Sequence, residues 1–65
     1  MFSVKKFRVL LTDSGMTLKE FSRRSGVSAV AIGQILNHNV KPKLGTIGKL
    51  AKGLGVSSAA LMGDE

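Results

Sequence analysis

Ser28, Ala29, Val30 and Gln34 bring together side chains that suit the edges of base pairs. Gln34 carries one acceptor and two donors on a planar amide, which matches the N7 acceptor and N6 donor that adenine presents in the major groove of a duplex. Ala29 and Val30 are apolar enough to meet thymine methyls, and the run of small or apolar residues from Ala29 lets a backbone approach closely. A preference for A·T pairs would follow at the contacted positions. The plain alternatives are a solvated helix residue for Gln34 and packing against a turn for Ala29 and Val30.

Other chemistry is poorly supported. Asp13, Glu20 and His38 form no general acid and base pair at any telling spacing, and no glycine-rich loop is placed to cradle a phosphate. His38 is the single histidine and has no cysteine, second histidine or nearby carboxylate to share a metal. Neither an enzyme nor a metal or cofactor protein is expected.

Charge points the same way as Gln34. The 65 residues hold ten Lys and Arg against four Asp and Glu, a net charge of +6. Two of the acids, Asp64 and Glu65, end the chain, so positions 1–63 set ten cations against Asp13 and Glu20 alone, a net of +8. A body this basic attracts polyanions, with nucleic acid first and acidic membranes or proteins after it. Cysteine is absent, which removes disulfides and fits a reducing cytosol. Arg8 interrupts the apolar start and no cleavage site follows, so a signal peptide is not expected; the apolar runs are far short of the ~20 residues of a membrane span. A single cytoplasmic domain covering 1–65 is the expectation, near the lower size limit for unaided folding.

Helical periodicity runs throughout, so the elements that must position these residues are helices. Ser3 caps a first helix to about Asp13, with Val4, Phe7, Leu10 and Leu11 inward and Gly15 closing it. Thr17-Leu18-Lys19-Glu20 is a T-x-x-E capping box that starts a second helix, anchored by Phe21 and broken at Gly26. Ser28 caps a third helix to about Asn37, with Ile32, Ile35 and Leu36 inward. Residues 37–43 read as a polar loop. Leu44, Ile47, Leu50, Ala51 and Leu54 mark a fourth helix ended by Gly53 and Gly55, and Ser57 caps a short fifth helix from Ser58 to Met62. The expected fold is all-α, a compact bundle of five short helices.

The chain resembles the Cro/repressor-type, or XRE, helix-turn-helix regulators of phages and bacteria. The resemblance rests on F-x-x-L at 7–10, G-M-T at 15–17, F-S-R-R-S-G-V-S at 21–28, Ile32, Ile35-x-Asn37, K-P at 41–42 and K-L-A-K-G-L-G-V-S at 49–57. It implies a lambda-repressor-like DNA-binding domain with its helix-turn-helix at about 17–37 and a recognition helix at about 28–37 in the major groove. By position, it puts Ser28, Ala29, Val30 and Gln34 against base edges or nearby phosphates. Asn37, His38, Lys41 and Lys43 fall beside the backbone, and Thr17 and Lys19 do so at the start of the second helix. It further implies a homodimer, at least on DNA, over a pseudo-palindromic duplex operator.

Three departures from the family pattern stand out. Leu18 replaces a phosphate-gripping Gln, leaving backbone amides or Lys19 to serve. Leu11 and Leu36 occupy positions where relatives often pair an Arg with a Glu, and this double replacement predicts that the two leucines pack together. Gly33, Gly45 and Gly48 fall inside helices, each at a cost of roughly 0.5 to 1 kcal/mol relative to alanine.

The leading expectation is a sequence-specific transcriptional repressor or small bacterial controller. A variant is an antitoxin or restriction-control regulator with an added protein partner. From a different class comes a basic protein-interaction or polyanion-binding module without sequence specificity. Membrane-surface binding is disfavoured, because Trp is absent and Phe7 and Phe21 are needed inside.

Overall fold

The computed structural model describes residues 1–63, so the last two residues of the expected 1–65 domain lie outside it. Four α-helices, α1 (Val4–Ser14), α2 (Leu18–Ser25), α3 (Ala29–His38) and α4 (Leu44–Leu54), are followed by one 3₁₀ turn at Ser58–Leu61. The expected fifth helix is thus a single tighter turn. Its bonds run from the Ala60 N–H to the Ser57 carbonyl and from the Met62 N–H to the Ala59 carbonyl, and Met62 is already extended.

Local chemistry explains the helix starts. The Ser3 hydroxyl accepts from the Lys6 N–H at 3.1 Å, Thr17 from Glu20 at 3.1 Å and Ser28 from Ala31 at 3.1 Å, each meeting an amide that the first turn leaves unpaired. α4 begins after Lys43 with no such side-chain bond. Gly15, Gly26 and Gly55 close α1, α2 and α4 in the left-handed region, and Asn39 does the same for α3 with φ 53°. α3 therefore reaches His38, so Asn37 and His38 belong to its last turn rather than to the loop.

Phe7, Phe21, Ile32, Leu50 and Leu61 are completely enclosed, so every helix and the final turn contribute one of the five. Each such side chain is worth about 1.5 to 3 kcal/mol when removed from water, a large share of the stability of so small a domain. The rings of Phe2, Phe7 and Phe21 form a file, with 5.8 Å between the first two centroids and 5.8 Å between the last two. Leu11 is buried and Leu36 is half-buried against the same core, so both leucines join one apolar cluster. Leu44 departs from its expected inward place and is 81% exposed at the first position of α4.

Gly53 does not end α4. It lies inside the helix and faces α2, where a Cβ would come within 2.7 Å of Ser25 Cβ and 2.8 Å of Phe21 Cε1. The close crossing of α2 and α4 thus depends on a missing side chain. At Gly45 and Gly48 a Cβ would meet nothing within 4 Å, and no contact explains the glycines there.

The two ends of the described chain are clasped. Phe2 and Met62 form an isolated antiparallel bridge, the Ser3 N–H donates to the Leu61 carbonyl at 2.7 Å, and the Gly63 N–H donates to the Met1 carbonyl at 2.8 Å. Lys6 Nζ adds a bond of 2.8 Å to the Met62 carbonyl.

Candidate nucleic-acid interface

α2 and α3 meet at a turn that side chains lock. Gly26 takes φ 77°, a conformation that a side chain would strain. Ser22 Oγ donates to the Val27 carbonyl at 2.7 Å, and the Val27 N–H donates to Ser25 Oγ at 3.2 Å. Val27 itself is buried, which fixes where α3 departs.

On α3 the buried residues Ile32 and Ile35 define the inner side. Ala29, Val30, Gly33, Gln34 and Asn37 fall at i, i+1, i+4, i+5 and i+8, a spacing that gathers them on the outer side. Ala29, Val30, Gln34 and Asn37 are exposed, and Val30 is 73% exposed with no part in the core. Packing against the turn is therefore not what Ala29 and Val30 do. Ser28 precedes them as the exposed N-cap, its oxygen occupied by the Ala31 N–H and its O–H available to donate. His38 closes α3, and Lys41 and Lys43 follow, all three exposed.

The start of α2 differs in chemistry. The Glu20 carboxylate accepts from the Thr17 N–H at 2.9 Å while the Thr17 hydroxyl accepts from the Glu20 N–H, so Thr17 is committed to the capping box. The Thr17 N–H holds the Glu20 carboxyl below its ordinary range, helped by the Thr17 hydroxyl and then by Arg23. An ionised carboxylate thus sits at the helix end where an incoming phosphate would seek amides. Lys19 is exposed beside it, and Leu18 projects half out of the surface.

Because the folded carboxyl is depressed, the stability it confers is complete above the unfolded carboxylate pKa and disappears as the pH falls through the lowered folded value. The melting temperature of Glu20→Gln is expected to vary less with pH than that of the parent between about pH 6 and about pH 2. Equal pH slopes in the two proteins would show that the box carboxylate is not linked to folding.

One residue of the site has no clear signature in the sequence. Arg8, on α1, donates through its guanidinium to the Leu36 carbonyl in the last turn of α3. A cation there complements the negative end of the helix dipole and tethers the end of α3 beside Asn37 and His38. α1 and α3 are therefore joined by an arginine that meets a backbone carbonyl rather than a carboxylate. The hint was the place of Arg8 on the helical wheel, at the flank between the buried Phe7 and Leu11 side and the outer face.

A capped helix, a tight glycine turn and a second helix with an uncharged outer face define a helix-turn-helix protein. The helix-turn-helix family profile matches residues 4–61, and the chain belongs to this family, in its Cro/XRE type. It is a DNA-binding transcription regulator of that kind, a regulatory rather than an enzymatic class. No curated protein and no solved structure matches the chain. Among the described residues, no helix is long and apolar enough to cross a membrane, and no three His, Cys, Asp or Glu side chains are grouped to hold a metal.

Proposed function

We propose that the chain is a sequence-specific reader of duplex DNA that inserts the first half of α3 into the major groove and binds as a symmetric pair over a pseudo-palindromic operator. Ser28, Ala29, Val30 and Gln34 meet base edges or adjoining phosphates. Asn37, His38, Lys41 and Lys43 lie along the backbone, with Lys19 at a second point and Thr17 serving mainly to hold α2.

The observation that carries this reading is the outer face of α3. From Ser28 to Asn37 it has no charge, although positions 1–63 carry a net charge of +8. A merely solvated helix in so basic a body has no reason to expose an uncharged face with a bare valine on it. A helix that meets bases does, because the phosphates lie to either side of the groove and are the natural partners of exposed cations such as Lys19, Lys41 and Lys43.

Selection of bound sequences from random duplex DNA at near-physiological salt tests it. The expected outcome is a motif of two inverted half-sites with centres about 10 base pairs apart and A·T pairs at the contacted positions. Salt-sensitive binding that enriches no motif would replace the reader with a non-specific polyanion binder.

A further inference from the structure

Between α1 and the final turn lies a hollow that the DNA reading does not use. It measures about 550 Å³, a volume typical of small-molecule sites, and is lined by Lys5, Lys6, Val9, Leu10 and Ala60. Its surface is almost wholly apolar, yet two ammonium groups stand at one end of it. Lys5 and Lys6 belong to the first turn of α1, and Val9 and Leu10 to the next, so charge and apolar surface follow each other along the helix.

The lysines are suited to receive an anion. Both are exposed, and no acid lines the hollow. Lys6 Nζ donates one proton to the Met62 carbonyl at 2.8 Å, which fixes that ammonium beside the final turn and leaves two protons to donate. Asp13 is one turn beyond Val9 on α1, at the end away from the lysines, so an anionic group is drawn to the Lys5 and Lys6 end alone.

We propose that the hollow binds a small amphipathic monocarboxylate, its carboxylate between Lys5 and Lys6 and its acyl chain along Val9, Leu10 and Ala60. A bare hydrated anion would use the lysines and leave the apolar surface wet. An uncharged hydrocarbon would cover that surface and leave the ammonium groups unanswered. An amphipathic anion satisfies both, and the rise of about 6 Å from Lys6 to Leu10 limits the chain to a short one. Such a ligand touches α1 and the final turn together, the two elements already held by the clasp, and so it stabilises the folded chain by mass action. It also leaves the outer face of α3 uncovered, because among the described residues the final turn makes no contact with α3. The site is therefore independent of the DNA reading and stands or falls without it.

The test is a titration of the parent, without DNA, with octanoate, followed through its amide resonances. Saturable shifts are expected at residues 5–10 and 59–62, with a dissociation constant on the order of 1 mM for so open a site and so small a probe. Acetate, which lacks the chain, and octanol, which lacks the charge, are each expected to bind at least fivefold more weakly (approximate, the worth of one exposed ion pair). Lys5→Glu is expected to weaken octanoate by about fivefold or more and to abolish the rise in melting temperature that octanoate gives the parent. Lys5 is exposed, and an unchanged melting curve without ligand would confirm that this variant folds. Ala60→Leu, which fills the hollow without touching the lysines, is expected to weaken octanoate as well. Shifts that never saturate, or that spread equally to Lys19, Lys49 and Lys52, would overturn the proposal and leave only loose pairing with any cation. Acetate or octanol binding as well as octanoate would also overturn it. So would shifts at residues 5–10 that depend on protein concentration alone, since the occupant would then be another protein molecule.

Discussion

Gly53→Ala is expected to lower the melting temperature by roughly 10 °C, although alanine is the better helix former. The new methyl group would come 2.7 Å from Ser25 Cβ, 2.8 Å from Phe21 Cε1 and 3.1 Å from Ser25 Cα. None of these can yield cheaply. Phe21 is completely enclosed and abuts Phe7, and Ser25 is buried with its hydroxyl holding the turn before α3. Overpacking of this kind costs about 1 to 3 kcal/mol, with two contacts below 3 Å arguing for the upper end. Against it stands a gain of about 1 kcal/mol in helix propensity. Gly48→Ala provides the control, because the same gain meets no obstruction there and the melting temperature should rise. A Gly53→Ala protein that melts at or above the parent would show that α2 and α4 can separate without loss. The substitution should also weaken DNA binding, since any shift of α2 moves the turn that aims α3.

Gln34→Ala is expected to leave the fold intact and to remove about 1 to 3 kcal/mol of discrimination at one base pair of the selected site. Gln34 is exposed, so the truncation opens no cavity. The measurement is a set of dissociation constants for the best site and for its single-base variants at fixed salt. Lys41→Ala should behave differently, weakening all sequences alike and reducing the salt dependence by about one counterion. If Gln34→Ala instead weakened every sequence equally, the amide would be touching the backbone and the assignment of α3 as the reading helix would lose its main support.

Much of the framework was legible in the residues. The Ser3, Thr17 and Ser28 caps, the T-x-x-E box and the inward stripes of α1 to α3 rest on local chemistry, and local chemistry is what a sequence displays directly. Features set by long-range packing were less so. Leu44 fits the apolar rhythm of α4, yet the helix is only beginning there and no neighbour covers it. Gly53 looks like a helix stop, and only the crossing with α2 reveals it as a packing position. The fifth helix was expected to include Met62, but pairing with Phe2 draws that residue into an extended form. The candidate site divides in the same manner. The outward placement of Ala29, Val30 and Gln34 follows from the spacing of Ile32 and Ile35, whereas the Arg8 bond to Leu36 and the serine lock at Val27 depend on where other elements come to rest.

The clasp between residues 1–3 and 61–63 gives the fold the topology of a ring. Because Met1 and Gly63 are within hydrogen-bonding distance, a short flexible link could join them without disturbing the core. New ends could then be opened in the exposed stretch between α3 and α4, and the covalent order of the helices would change while their neighbours stayed the same. For the same reason the whole unit could be spliced into a surface loop of a larger protein, entering and leaving at almost one point.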